Sequence, residues 1–114
     1  MALGGGILTP VTAQAPTNTN TDAVATLTPP STAVGVFLHG VRYSYSSTPT
    51  NGQLLVAWSD GATNFTETHA VTTGGPGYLT YGGNSKFPNN QVVTVTLKAA
   101  GAVNSTVYPN AEYR

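Results

Sequence analysis

The chain has 114 residues, no cysteine, and four basic against four acidic side chains, so its formal net charge is zero. Only 7% of its residues are charged, whereas an ordinary domain has about 25%. The length allows one domain, and the absence of cysteine excludes disulfides and thiolate metal sites. Without a basic excess we expect no nucleic acid partner. No apolar run approaches the roughly 18 residues that a transmembrane helix needs, so we expect no membrane partner either.

Residues 1–32 differ in composition from the rest of the chain, being rich in Gly, Thr, Pro and Ala. Prolines in this segment forbid a continuous helix, and the segment has too little apolar surface to fold alone. We therefore predict an extended N-terminal arm that is held by something other than its own domain. The alternative is an arm that folds back over its own domain. The apolar residues that can anchor the arm are Ile7, Leu8, Val11, Val24 and Leu27.

The strongest strand signal comes from two runs rich in β-branched and aromatic residues, 34–45 and 54–59. Such residues are favoured in strands. A Thr-Pro-Thr-Asn-Gly connection joins the two runs. Pro49 cannot donate to a β-ladder and Gly52 accepts a positive φ, so we predict that the connection is the turn of a hairpin.

Both faces of the first run are apolar. Simple alternation puts Val36 and Leu38 on one face and Val41 and Tyr45 on the other. The second face also carries Phe37, His39 and Tyr43. This pattern predicts a strand that is covered on both sides.

Alternation between turn signals predicts five more short strands. They are expected at residues 23–27, 62–71, 78–81, 91–99 and 103–108. The turn signals include the Asp-Gly pair at 60–61 and the glycine-rich stretch at 74–77, and Pro109 is expected to end the last strand. About seven short strands without a helix predict an all-β antiparallel β-sandwich or jelly roll. The sandwich domain is then residues 33–114, preceded by the arm.

The sequence shows no motif of a reactive centre, and we predict no catalytic residue, no metal site and no cofactor. His39 and His69 are the only imidazoles, and the supply of further metal ligands is thin. Asp60 is explained by its Asp-Gly turn and Glu67 as a polar residue on a strand face. An enzyme would need one of the histidines within hydrogen-bond reach of such a carboxylate or of a serine, in a pocket.

Several tyrosines can supply a surface for stacking sugars, because their rings combine apolar faces with a polar edge. The candidates are Tyr43, Tyr45, Tyr78 and Tyr81. The same side chains can equally stabilise a sheet by cross-strand pairing or fill an oligomer contact. We favour the core and interface roles.

Three phrases carry a resemblance: LHGVRYSYSSTPTNGQLLV, GGPGYLTY and NNQVVTVTLKAAGAVNSTV. Together they resemble a recurrent pattern in small tailed-phage virion proteins, and the resemblance spans about residues 36 to 108. It implies a structural role without chemistry, as a capsid decoration (cement) protein or another small component of a bacteriophage virion.

The hypothesis from sequence is therefore a structural protein on the exterior of a virion capsid. We expect it to bind the major capsid protein, or other virion proteins, through its N-terminal arm and sheet edges. We also expect a homo-oligomer, with a trimer favoured, since symmetric closure hides adhesive sheet edges. The alternative is a carbohydrate or host-surface binding module of a phage capsid fibre or tail, which a groove ringed by exposed aromatic residues would favour.

Overall fold

The computed structural model of the protein describes residues 9–12, 18–19, 21–33, 35–81, 91–101 and 103–113. These residues form nine β-strands and no helix, so none of them belongs to a helix that is long and apolar enough to cross a membrane. The strands are β1 (Thr9–Thr12), β2 (Asn18–Thr19), β3 (Ala23–Leu27), β4 (Val36–Tyr45), β5 (Gly52–Ser59), β6 (Asn64–Val71), β7 (Gly75–Thr80), β8 (Val93–Leu97) and β9 (Asn104–Tyr113).

The strands pair into two antiparallel sheets. Sheet A has the order β1-β9-β4-β7, with β2 also paired to β9, and sheet B has the order β3-β8-β5-β6. Apolar side chains from both sheets form a single core, whose largest fully buried members are Tyr45, Leu27, Leu38, Leu54 and Leu97. The predicted all-β antiparallel sandwich is confirmed, and β3 to β9 are its seven predicted strands.

Two predicted strand ends are wrong, and both involve proline. β9 continues through Pro109 to Tyr113, although we expected the strand to end before this proline. β1 pairs with residues 110–113 of β9 and β2 with residues 104–105, so neither of these two pairings needs an N–H from Pro109. β7 likewise includes Pro76, because it lies at the edge of sheet A and an edge strand accepts proline.

β4 contains a β-bulge at His39, where the register on β9 shifts by one residue. The extra residue reverses the alternation of side chains. As a result Val36 and Leu38 before the bulge and Val41 and Tyr45 after it are all fully buried. The predicted strand with two covered faces is wrong: β4 turns one face to the core along its whole length and the other face outward.

A hydrogen bond inside the sandwich joins the two sheets. The Tyr45 hydroxyl, which projects from sheet A, donates to the carbonyl oxygen of Lys98 at 2.7 Å. Lys98 directly follows β8 of sheet B, and its N–H donates to the carbonyl of Gln53 at 2.9 Å. Burial raises the pKa of the Tyr45 hydroxyl. A buried hydroxyl without a partner is costly, so this bond helps to fix where the two sheets meet.

The turn between β4 and β5 is present, but the residue with positive φ is Asn51 (φ 55°) rather than Gly52. Asparagine tolerates this left-handed conformation. Gly52 is required for space instead, because a Cβ at this position would lie 2.6 Å from the carbonyl oxygen of Val71 and 2.9 Å from Cε2 of Tyr45.

The described part of the arm adds strands to its own domain. β1 and β2 pair with the two ends of β9 in sheet A, and β3 forms an edge of sheet B. Between them, the Ser105 hydroxyl donates to the carbonyl oxygen of Thr21 at 3.0 Å. This arrangement matches the alternative in which the arm folds back. Attachment of the arm to a partner stays a prediction.

We predict that Gly52→Ala lowers the free energy of unfolding by about 1–3 kcal/mol, because the new methyl group must displace strand backbone and a buried ring. Gln53→Ala is the matched control, since Gln53 is the exposed neighbour on the same strand and an exposed substitution of this kind costs less than about 0.5 kcal/mol. Urea denaturation of both variants measures the difference. Equal stability of the two variants would contradict the packing of Gly52.

Candidate functional site

The outer face of sheet A carries two tyrosines on either side of an arginine. Arg42 of β4 stands opposite Tyr78 of β7 and opposite Tyr108 of β9. Partners that stand directly opposite each other in a sheet share a face, so the three side chains form one row, which we call the Tyr–Arg–Tyr row. In the neighbouring row, Ser44 stands opposite Pro76.

An open groove of 560 Å³ runs along the Tyr–Arg–Tyr row. Arg42 is exposed and Tyr78 is 48% exposed, while Tyr108 is half-buried. The groove therefore offers two aromatic rings and one guanidinium group to solvent. Its lining consists of Arg42, Tyr43, Ser44, Pro76, Gly77, Tyr78 and Tyr108.

Two glycines set the positions of rings at this groove. The ring of Tyr78 lies over Gly40, where a Cβ would be 2.5 Å from Cζ of Tyr78 and 2.8 Å from the carbonyl oxygen of Leu79. The ring of Tyr43 lies over Gly77, 2.5 Å from the position that a Cβ would take, but on the core-facing side of sheet A, where it packs against the core. Distances this short leave no room for any side chain at either glycine, so both rings rest directly on strand backbone.

The carboxylates of the chain are engaged elsewhere. Their contacts are Asp22 with Lys98 at 3.1 Å, Asp60 with the N–H groups of Ala62 and Thr63, Glu67 with Tyr81 at 2.7 Å, and Glu112 with His39 at 3.2 Å. Among the described residues Arg42 forms no ion pair. The guanidinium group of the row therefore faces solvent without a carboxylate from the described chain.

Asp60 has the turn role that its sequence indicates. Its Oδ1 accepts the N–H groups of Ala62 at 2.9 Å and of Thr63 at 2.7 Å, and Gly61 has a φ of 96°. The Thr63 and Ala62 bonds lower the pKa of Asp60, because they stabilise its ionised form.

Glu67 joins the edge strands of the two sheets. The Tyr81 hydroxyl donates to its Oε1, and Nε2 of His69 lies 3.3 Å from the same oxygen. Glu67 belongs to β6, whereas Tyr81 follows β7 and donates its N–H to the carbonyl of His39 at 2.8 Å. Burial, together with the bond and charge of Glu67, raises the pKa of Tyr81, so the phenol stays a proton donor.

The Glu67–His69 pair satisfies the distance that we set for an acid–base site, but its surroundings are those of a structural contact. One carboxylate oxygen serves both Tyr81 and His69, and the residues that line the groove on sheet A are different ones. Within the described ranges, no group of three or more His, Asp or Glu side chains is placed to hold a metal ion.

The four candidate surface tyrosines have different environments. Tyr78 lies in the groove, Tyr45 is fully buried, and Tyr43 and Tyr81 are partly buried against the core. Tyr108, which completes the groove, was not among the candidates. Residues of β9 alternate between buried and half-buried. The alternation of apolar Val103 and Val107 with Tyr108 in the sequence is the signal that Tyr108 points outward.

The candidate arm anchors also lie in different environments. Leu27 is fully buried in the core and Val24 is 45% exposed on β3. Val11 belongs to β1, opposite Ala111 of β9. Ile7 and Leu8 lie outside the described residues, so their contacts stay a prediction.

The outer face of sheet B has a second distinctive surface, which we call the threonine face. It consists of two rows that cross all four strands, Val24–Thr96–Leu55–Thr68 and Thr26–Thr94–Ala57–Thr66. Five of these eight side chains are threonine and none is charged. Sheet A therefore presents a cationic aromatic groove, whereas the threonine face of sheet B is uncharged and has the Asp22–Lys98 ion pair beside it, two residues from Val24 and Thr96.

The Tyr–Arg–Tyr row presents aromatic faces, phenol hydroxyls and one guanidinium group. Tyrosine rings stack on apolar ring faces and hydrogen-bond through their hydroxyls. A guanidinium group carries N–H donors and no acceptor, and its fork of donors matches a carboxylate. No protein-family model, curated protein or solved structure matches this chain. Any role for the groove must therefore be inferred from the chemistry of the residues that line it.

We predict that Asp22→Asn flattens the acid dependence of stability. The N–H of Ala99 at 2.7 Å and, to a smaller extent, Lys98 lower the pKa of Asp22 below its ordinary value of 3.8, although burial opposes them. A carboxylate whose pKa is lowered by folding stabilises the fold above the unfolded-state pKa, and this stabilisation is lost as pH falls through the lower folded value.

The measurement is the urea midpoint of wild type and Asp22→Asn between pH 6 and pH 2. Wild type should lose stability below about pH 5, and the variant should lose less over the same interval. Asp60, whose pKa is also lowered by its backbone hydrogen bonds, contributes to the slope that remains in the variant. Identical slopes for the two proteins would show that Asp22 is not stabilised as its contacts indicate.

Proposed function

We propose that this chain is a structural protein without enzymatic activity, which decorates the outside of a bacteriophage capsid. The observation that carries the proposal is the threonine face, a neutral surface that crosses sheet B from edge to edge. Burying it against another protein removes no charge from water, and desolvation of charge is the main cost of covering a polar surface. The cores of protein interfaces are depleted of charged residues in the same way.

The size of the threonine face indicates that it does not act alone. Four strands about 4.8 Å apart and five residues long cover roughly 300 Å², whereas a stable interface takes about 800 Å² from each partner. In the proposal the N-terminal arm supplies the difference. Because residues 9–12 already pair with β9, contact with the shell is assigned to residues 1–8 of the arm, ahead of β1.

The resemblance to small tailed-phage virion proteins supports the capsid shell as the partner. In this arrangement the threonine face and the arm contact the major capsid protein, and sheet A points away from the shell. Association of three copies would cover the free edges at β3, β6 and β7. The low charge content of the chain fits this role, since neutral surfaces favour association.

The proposal predicts that deletion of residues 1–8 abolishes binding to purified capsid shells while leaving the fold intact, because β1 and all later strands are retained. Co-sedimentation with shells measures binding, and thermal unfolding checks the fold. Deletion of residues 1–20 should in addition lower the melting temperature, because β9 then loses the strands paired to its edge.

A substitution on the threonine face gives the second part of the same test. Thr68→Lys places a charge on the exposed end of one row and should weaken co-sedimentation, whereas Asn110→Lys, an exposed position on the opposite sheet, should not. Unchanged shell binding by both the 1–8 deletion and Thr68→Lys would refute attachment through this side of the molecule.

A second candidate function is a carbohydrate-binding module of a virion fibre or tail. The groove along the Tyr–Arg–Tyr row favours it, because two tyrosines flank an open depression of 560 Å³ on the outer face of a sheet. The two functions are compatible, since they use opposite faces of the sandwich.

A further inference from the structure

We propose that the Tyr–Arg–Tyr row binds a glycan through a carboxylate-bearing sugar, with Arg42 as the residue that selects the acidic sugar over a neutral one. The proposal rests on the second candidate function, carbohydrate binding, and names the ligand class of that site. It follows from the spacing of the row, from its charge, and from the way in which its side chains are held.

The spacing suits a short oligosaccharide. Tyr78 and Tyr108 are direct partners of Arg42 on the strands to its left and right, so their backbones lie two strand spacings, about 10 Å, apart. Two neighbouring sugar rings extend over such a distance. A ligand that lies across the strands can therefore stack on one tyrosine and contact the other while it passes over Arg42.

The charge of the row suits one carboxylate. The groove holds one cationic side chain, Arg42, and in the described part of the chain no carboxylate pairs with it. A guanidinium group binds a carboxylate through two parallel hydrogen bonds. The adjacent Ser44 hydroxyl lines the same groove and can bond a sugar hydroxyl.

The zero net charge of the chain argues against a polyanion as the ligand of the groove. Nucleic acids and other densely charged polymers are bound by clusters of basic residues that displace counterions, whereas this chain has a net charge of zero. A single exposed guanidinium between two rings instead matches a ligand with an isolated negative charge and apolar ring faces. An acidic sugar within a glycan has both properties.

The Tyr78 ring and the backbone that carries Arg42 are also held in place before a ligand arrives. Tyr78 rests on the backbone at Gly40, where no side chain can fit beneath its ring. The backbone of Arg42 lies in the central strand β4, which is paired on both sides. A ring fixed as Tyr78 is loses little freedom on binding, which favours affinity.

The test is titration of the full-length, isotopically labelled chain with two pairs of probes, observed by amide NMR. The pairs are sialyllactose against lactose, and a hyaluronan tetrasaccharide against chitotetraose. At least one acidic member should shift amides of β4, β7 and β9 around the row, and should bind at least about tenfold more tightly than its neutral counterpart, because a charged hydrogen-bonded pair is lost without the carboxylate.

Variants identify the groups responsible. Arg42→Gln should remove the preference for the acidic member, and Tyr78→Ala should weaken binding of both members. Thr80→Ala is the control, since it is an exposed residue of the same strand outside the groove lining, and should change neither. The amide spectra of the free variants show whether each one is folded, which Arg42→Gln should be because its side chain is exposed.

Each other outcome overturns the proposal in a distinguishable way. Equal binding of acidic and neutral members, unaffected by Arg42→Gln, removes the acidic specificity but leaves the carbohydrate-binding function standing. No binding by any of the four probes removes both. Shifts of the same amides by acetate or inorganic phosphate alone, as large as those caused by the acidic sugars, would show a simple anion site instead.

Discussion

The β-bulge at His39 is the constraint on which the core and the groove both depend. On β9, the partner of β4 steps directly from Ala111 to Asn110, while β4 advances from Leu38 to Gly40. The extra residue is accommodated without a break in the sheet, and it reverses which side of β4 each later side chain occupies. The apolar residues of both halves of β4 thereby reach the same core, and Arg42 is turned outward instead of inward.

The consequences extend to both surfaces of the sandwich. After the bulge, Tyr45 enters the core and bonds to Lys98 of the other sheet, which ties sheet A to sheet B. Gly40 lies on the outer side and provides the flat backbone beneath Tyr78. With Arg42 facing outward in the neighbouring row, the groove forms on sheet A, while the neutral threonine face is formed by sheet B alone. The same backbone feature thus orders the core and shapes the groove on sheet A.

The fold class and most of the strands were predictable from alternation and turn residues, as β8 shows most clearly, with its three apolar residues buried and its threonines outward. The bulge was not predictable in this way. One extra residue leaves β4 rich in apolar residues and changes only which side of the strand the residues after it occupy. The bulge decides that Tyr45 enters the core, whereas Tyr78 of β7, which has the same chemistry, is 48% exposed. The groove depends on partners more than 30 residues apart, and local pattern does not indicate such pairings.

The most direct test of this account compares two single-residue deletions in β4, measured by the free energy of unfolding. Deleting His39 removes the bulge and makes the ladder continuous, so the core phase is kept and the loss should stay within about 2 kcal/mol, including the bond from the Tyr81 N–H. Deleting Phe37 forces Val36 or Leu38 out of the core, which should cost about 2–5 kcal/mol or prevent folding. If the His39 deletion is as damaging as the Phe37 deletion, or more so, the bulge does not set the phase of β4 and the account is wrong.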